Sequence, residues 1–456
     1  MFGYYLQLAW RSIKKTPVMS ALMVLALGVG VAIVMTMLTL QHVESNNALA
    51  AKNEQLFYLQ LNSSPADELF FGSLENGLPR MVSYRTATTL LKSSIPSHSV
   101  AMFRSMFVLS MDDADYQPES IVGRVSSRDF FSLFDVPFIY GKVWNKQADE
   151  SAKYQVVIDQ TLNQQLFGGG NSVGKTLRLE GKPYQVIGVV HDFMPVPSVQ
   201  DLTMGKTGGN THLYLPFGLV RAEQLTPYGQ KSCAASDANQ DVELGMSANE
   251  AFEVELQNLC IWLQFWAELP NADAKARYVD YLQQYFNEQK KLGFFARDFD
   301  YALSTPQQWL NLNHAVSNDT KVTTWLALVF LVICIVNTVA LLTAKLWRQA
   351  PEAGIRQALG ASRGAIFVQN LVEAGFVGIL GGAFGILLSQ LMLMVVRSIL
   401  ANNGAALSGT DSSIYSTDST MLAVTVLVAL ISSVLAGLYP AWQVSRTQPA
   451  HYLKVQ

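Results

Sequence analysis

The run with the most obvious chemical potential is Gly169-Gly-Asn-Ser-Val-Gly174-Lys175-Thr176, which fits the spacing G-x-x-x-x-G-K-[ST] letter for letter. In a nucleotide site that spacing lets backbone N–H groups and a helix amino end cradle phosphates while the lysine reaches the outermost ones. Its surroundings here have the reverse order. Gln160 to Phe167 is helix-like and precedes the glycines, whereas Lys175 to Glu180 alternates like a strand and follows them. No apolar run ending in a magnesium-holding acid comes after it. Gly169 to Thr176 is therefore read as the turn into a hairpin, and no cofactor is expected in this chain. The histidines (His42, His98, His191, His212, His314, His451) are scattered, with no H-E-x-x-H, and G-x-S-x-G is absent too. His191 and Asp192 are neighbours at a strand end, where they point to opposite faces, so they read as a surface turn and not an acid–base pair. Cys233, Cys260 and Cys334 fall in no CxxC spacing, so no metal site is expected. Lys and Arg number 32 against 35 Asp and Glu, a net charge of −3, which offers no basic surface for nucleic acid. The chain is expected to be non-catalytic.

Charged residues make up 15% of the 456 residues, well below the roughly 25% of soluble domains, so much of the chain must avoid water. Four uncharged stretches account for this: Val18 to Leu40, Val322 to Ala344, Ala374 to Val396 (within a third span over 371–397) and Met421 to Trp442. Each is long enough, at about 1.5 Å per residue, to cross a hydrocarbon layer of about 30 Å. The first could be mistaken for a secretory signal, because Arg11, Lys14 and Lys15 precede it and Ala48-Leu49-Ala50 resembles a cleavage site. Its apolar run is too long, and Gln41 to Asn47 separate it from that site.

Lys and Arg near span ends mark the cytoplasmic side. Arg11, Lys14 and Lys15 precede the first span, Lys345, Arg348, Arg356 and Arg363 lie between the second and third, and Arg446 and Lys454 follow the fourth. The short segment 398–420 has no Lys or Arg. Both termini are expected to be cytoplasmic: an amphipathic helix over 1–17, spans over 18–40, 322–344, 371–397 and 421–442, a coupling loop or helix over 345–370 and a tail over 443–456. Residues 41–321 would then form one large outer domain.

That domain reads as mixed α/β, giving an α-helical membrane protein with four transmembrane helices, one N-terminal and three C-terminal, around an extracytoplasmic insert. Tyr154 to Asp159, Lys175 to Glu180 and Tyr184 to Val190 read as strands, the last two joined at Gly181-Lys182-Pro183. From Ala248 to Gln289, Leu256, Leu259, Trp262, Leu263 and Trp266 recur at helical spacing, which predicts helix. Pro195 to Asp241, rich in Gly, Ser, Thr and Pro, predicts a long loop. Cys233 and Cys260 would face an oxidising compartment, where a disulfide between them is open; Cys334 would pack inside the second span.

The stretch from Arg348 to Gly385, RQAPEAGIRQALGASRGAIFVQNLVEAGFVGILGGAFG, resembles the permeases of the MacB/FtsX superfamily of ABC transporters. That family follows its second span with a run like E-I-G-I-R-x-A-L-G-A, and Glu352, Gly354, Ile355, Arg356, Ala358, Leu359, Gly360 and Ala361 stand at those positions. Glu373 through Gly381-Gly382, Tyr439-Pro440-Ala441, Gln448-Pro449 and the opening Leu8-Ala-Trp-Arg-Ser-Ile-Lys-Lys are similar to other family segments. Val125 to Phe131, Gly141 and Gly169 to Val190 resemble a MacB-type periplasmic core domain, whose P-V-G-K-x-L accounts for the phosphate-loop spacing. Pro351, Ala353 and Trp442-Gln443 depart from the pattern.

The resemblance implies a bacterial inner-membrane permease subunit that does no chemistry itself and couples to a separate ATPase dimer, which binds the ATP and magnesium. It implies a second permease, identical or homologous, and leaves a periplasmic adaptor and outer-membrane channel open. Glu352, Gly354, Ile355, Arg356, Ala358, Leu359 and Gly360 become the coupling element, with Ile355, Ala358, Leu359 and Ile366 at the spacing of an amphipathic helix lying on the membrane lipids. Gly378, Gly381, Gly382 and Gly385 allow close helix contact, either within the bundle or at a dimer seam. The implied function is mechanotransmission for export of a drug, peptide or lipoprotein; the alternative is an FtsX-like relay that activates a cell-wall hydrolase.

Overall fold

The structure, a computed structural model, describes residues 2–445 apart from 48, 113–115, 194, 196, 204–210, 234–245, 317 and 405–418. Two units divide the chain: a helical unit from Met1–Glu44, Val316–Asn403 and the C-terminal segment, and a sheet unit centred on Ser45–Ala315. Arg446, Lys454, Gln448 and Pro449 lie outside the described residues.

Among the described residues, the helical unit holds four helices long and apolar enough to cross a membrane. A leading helix, Phe2–Lys15, ends on Lys14 and Lys15, a favourable charge for a helix carboxyl end, and Pro17 then opens the first span, Pro17–Ser45. The others are Asn318–Ala358, Arg363–Gly404 and Ser419–Ser445. Buried residues on the second run Thr324, Ala327, Leu331, Cys334, Thr338, Leu342 and Leu346, steps of three and four that confine the packed face to one stripe. Trp325, Val329, Val332 and Val336, on its other faces, are more than half exposed, as a surface meeting lipid acyl chains would be.

Among the described residues, the sheet unit has eleven strands: β1 Leu56–Leu61, β2 Val82–Ser83, β3 His98–Ser110, β4 Glu119–Ser126, β5 Phe138–Gly141, β6 Gln155–Asp159, β7 Thr176–Leu179, β8 Lys182–Val190, β9 Leu213–Pro216, β10 Ile261–Glu268 and β11 Tyr301–Ser304. Their order is β11-β1-β10-β3-β4-β9-β6-β8-β5, with β2 on β10 and β7 bridging β8 to β3. That bridge closes β3, β4, β9, β6, β8 and β7 into a ring, because β3 is long enough to pair with β10 near its start and with β7 at its end. The β7–β8 turn has Glu180 at φ 50° and Gly181 at φ 74°, the paired left-handed geometry whose twist suits a two-residue hairpin. One core packs helices Tyr84–Leu90, Ala248–Gln257 and Ala272–Lys291 against the sheet, while Tyr58, Trp266, Trp309, Phe130, Phe131 and Trp144 belong to a second core.

Two expectations for this unit change. Within 248–289, helix is interrupted by β10, so Trp262, Leu263 and Trp266 lie in a central strand. All but its last residue are buried, and a strand covered on both faces loses the alternation that would distinguish it from helix. Within 195–241, β9 and the short helix Leu219–Ala222 interrupt the expected loop, β9 sitting in the ring between β4 and β6.

Cys233 and Cys260 form a disulfide 27 residues apart in sequence. It adjoins a bridge in which Ser232 and Ile261 exchange both backbone hydrogen bonds, so the crosslink anchors the start of β10. Cys233→Ser with Cys260→Ser is expected to lower the stability of this unit by about 2–4 kcal/mol. Urea unfolding of the oxidised, reduced and double-serine chains checks this: the last two should share a lower midpoint.

Candidate functional site at the basic end of the helical bundle

The segment 345–370 consists of two helix ends and a tight turn. The second span does not stop at the edge of its apolar stretch but continues to Ala358, with Pro351 inside it, where the Trp347 carbonyl loses its usual N–H donor. It ends at Gly360, whose φ of 102° only glycine adopts cheaply. The Ala361 N–H donates back to the Arg356 carbonyl at 3.0 Å and closes the helix end. Ser362 then caps the third helix by accepting from the Ala365 N–H at 3.2 Å. Glu352, Gly354, Ile355 and Arg356 occupy the last turns of the second helix, Ala358 ends it, and Leu359 and Gly360 form the turn. The side chain of Ala358 lies outside the described residues.

At this tip the apolar residues face outward. Ile355 is 56% and Leu359 84% exposed. Arg356 is held inward: its guanidinium donates to Glu352 at 2.8 Å and to Gln369 on the third helix at 3.2 Å. The basic side chain thus ties the two helices, and the outward-facing chemistry is apolar.

Below the tip lies a buried polar clasp that the sequence reading did not assemble. Lys345 Nζ stands 2.6 Å from Glu373 Oε1, with side chains 0% and 4% exposed. Ser12 of the leading helix donates to the same carboxylate oxygen at 2.5 Å, Gln349 donates to Ser12 at 3.0 Å, and Lys345 also reaches Ser20 of the first span at 3.2 Å. Four helices therefore converge on one ion pair. Lys345 was noticed only as an orientation marker and Glu373 only as part of a family segment. The usable signal is a lysine closing one apolar run and a glutamate opening the next, charges that in a membrane need a partner.

The four glycines of the third span are used within the bundle. A Cβ at Gly378 would meet Ser433 at 2.1 Å and one at Gly382 would meet Ala429 at 2.8 Å, both on the fourth span. On the first span, Gly381 would meet Leu27 at 3.3 Å and Gly385 the Gly28 carbonyl at 3.0 Å. Of the two arrangements open in the sequence, these contacts are the internal one.

In the sheet unit, Gly169 to Thr176 leads from helix Gln160–Phe167 into β7. The Gly174 N–H donates to Val186 at 2.7 Å, and Lys175 Nζ is 4.9 Å from the Phe167 ring centroid. His191 is exposed, and Asp192 accepts from Thr161 N–H and Oγ, steadying the start of that helix. Two charged groupings join residues far apart in sequence: half-buried His212 Nδ1 with Asp159 at 2.7 Å, and a buried trio of Asp201 with Arg104 at 3.1 Å and Arg124 at 3.0 Å. Among the described residues, no three His, Cys, Asp or Glu are grouped closely enough to hold a metal ion.

Residues 20–257 match the family model described as MacB-like periplasmic core domain, and residues 325–449 match that of the FtsX-like permease C-terminal. The macrolide export ATP-binding/permease protein MacB of Acinetobacter baylyi is 22% identical over 324 residues, which cover 71% of this chain and 41% of that one. Its counterpart in Syntrophobacter fumaroxidans is 22% identical over 369 residues, 75% of this chain and 48% of the relative. The chain thus spans less than half the length of either relative. Among solved structures, the periplasmic region of MacB from Actinobacillus actinomycetemcomitans is 13% identical with a TM-score of 0.35, covering 59% of this chain and 96% of that one.

Proposed function

Because the chain belongs to the MacB-like periplasmic core domain family and carries an FtsX-like permease C-terminal region, we propose that it is the membrane permease subunit of an ABC transporter and does no covalent chemistry itself. A separate ATPase dimer supplies ATP hydrolysis, holding the nucleotide and magnesium on its own residues. The observation that carries this reading is the continuous helix Asn318–Ala358, 41 residues from its start to the tip that exposes Ile355 and Leu359. At about 1.5 Å per residue it spans roughly 60 Å, more than the hydrocarbon layer needs. One helix thus begins three residues after Ala315 in the sequence and ends at an exposed apolar knob.

The basic ends of the spans face the cytoplasm of a bacterial inner membrane, which puts both termini there and the sheet unit in the periplasm. Closure of the ATPase around ATP moves the knob. A helix that shifts as a rigid rod carries this displacement to the sheet unit, and the clasp makes the leading helix and the first and third spans move with it. The substrate is a drug, peptide or lipoprotein passed outward from the periplasmic side, and the relatives named for macrolide export support the first of these. A second permease completes the transporter, and an adaptor with an outer-membrane channel would extend the route.

Leu359→Glu tests the coupling role with little risk to the fold, since the side chain is 84% exposed. An ATPase recovered with the wild-type chain from native membranes should fall at least about ten-fold with the variant, the loss of about 1.4 kcal/mol expected when a carboxylate replaces an apolar anchor. Equal recovery at equal permease level would count against the tip as the contact.

A further inference from the structure

At the basic end the leading helix, the second and third helices and the end of the fourth enclose a cleft of about 220 Å³. Leu8, Ile366 and Val444 supply part of its wall, but its distinctive feature is charge: Arg11, Lys15 and Arg356 all line it. Two carboxylates line it as well, and both are already countered. Glu373 is paired with Lys345, and Glu352 lies 2.8 Å from Arg356 and 3.6 Å from Lys15. Counting Lys345, four cations face two anions, and Arg11 makes no ion pair among the described residues.

A second observation is independent of the charges. Asn370 lines the same cleft, is only 7% exposed, and its amide Nδ2 has no hydrogen-bond partner. A buried donor left unmatched is destabilising, so the site is short of one acceptor. Two guanidinium forks, one ammonium and an orphan amide donor are together matched by a compact anion with several acceptor oxygens.

We propose that this cleft holds one phosphate group, that of an anionic phospholipid headgroup, between Arg11, Lys15, Arg356 and Asn370. The choice of a lipid as the source of the phosphate follows from the residues that flank the cleft. Trp10, one residue from Arg11, is 47% exposed, packs edge-on against Phe376 at 5.9 Å and lies 5.2 Å from Lys14 Nζ. An exposed tryptophan beside lysines on a leading helix marks the headgroup layer, and basic pockets between span ends are suited to anionic headgroups. A bound phosphate would lock the leading helix against the tip-bearing helix, since Arg11 and Lys15 belong to one and Arg356 to the other.

The proposal rests on reading the helices as membrane spans, and it is independent of whether an ATPase docks. Native mass spectrometry of the full chain in detergent, titrated with phosphatidylglycerol and with phosphatidylethanolamine of matched acyl chains, tests it. Phosphatidylglycerol should be retained about five-fold more, and Arg11→Gln should remove about that factor, the contribution of one basic residue near a headgroup. Asn370→Leu should weaken retention without lowering the thermal midpoint, since it removes an unmatched buried donor, and Leu359→Glu, outside the cleft, should leave retention unchanged while losing the ATPase. Millimolar inorganic phosphate should not displace the lipid. Equal retention of the two lipids, unchanged retention in Arg11→Gln, or displacement by inorganic phosphate would overturn the assignment.

Discussion

Asp201→Asn is expected to destabilise the sheet unit by roughly 3–5 kcal/mol, because it leaves two buried guanidiniums without their counter-ion. Asp201 is 1% exposed, and its two oxygens serve four partners: Arg104 and Arg124 by ion pairs, Thr203 Oγ1 at 2.6 Å and Gln264 Nε2 at 2.5 Å. The two arginines come from directly opposed positions on β3 and β4, and Gln264 from β10, so one carboxylate holds a loop residue against three strands. Burial alone would raise the Asp201 carboxyl, but Arg104, Arg124, Thr203 and Gln264 together outweigh it and hold the pKa at about 2. The sign follows from a folded value below the unfolded one. The stabilisation is full above about pH 4, the range where the unfolded carboxyl is already ionised, and is lost as pH falls towards 2. Hydrogen exchange of peptides covering β3, β4 and β10, read from pH 6 down to pH 3, should show the wild type losing protection at the acid end. The asparagine variant should exchange faster throughout and lack this contribution to the acid loss. Equal protection in both chains at pH 6 would show that the arginines find other partners.

Lys345→Met is expected to cost the helical unit a comparable 3–5 kcal/mol or so, since Glu373 would remain buried without its cation. Lys345→Met combined with Glu373→Leu should recover most of that loss, because a buried ion pair can often be replaced by well-packed apolar groups at little net cost. The thermal midpoint in detergent should therefore drop sharply in the single variant and return towards wild type in the double. A double variant as unstable as the single would mean that packing around Ser12, Ser20 and Gln349, and not the uncompensated charge, sets the cost. The double variant also separates folding from coupling: a stable bundle without the clasp should still bind an ATPase at the tip, yet transmit less of its cycle to the other helices.

How far each feature could be read from the chain depended on how locally it was encoded. Each apolar span is a property of some twenty consecutive residues, and Gly181 sits at a turn whose strands adjoin it, so both were visible. The ring of six strands was not, because it requires Leu109 to meet Leu179 across seventy residues and β9 to be recognised from four residues within Gly-, Ser- and Thr-rich surroundings. β10 was misread for the opposite reason: Ile261 to Ala267 is buried throughout, so neither a two-residue nor a four-residue period survives. At the basic end, the run Glu352 to Gly360 was conspicuous, but which of its side chains faced outward was not. Arg356 turns towards Gln369, thirteen residues on, and Lys345 finds Glu373 on the next helix, pairings that the hairpin creates and no spacing rule anticipates. Asn370 was invisible as a candidate, since an unmatched amide is defined only by what surrounds it.

If the exposed tip is where an ATPase drives this permease, a photo-crosslinking amino acid placed at Leu359 in the full chain and irradiated in intact cells should give one dominant adduct containing a nucleotide-hydrolysing subunit. That adduct should diminish when the same probe is moved to the buried position Leu346. Adducts to lipid alone, or to no protein with a nucleotide site, would show that the tip is not the contact.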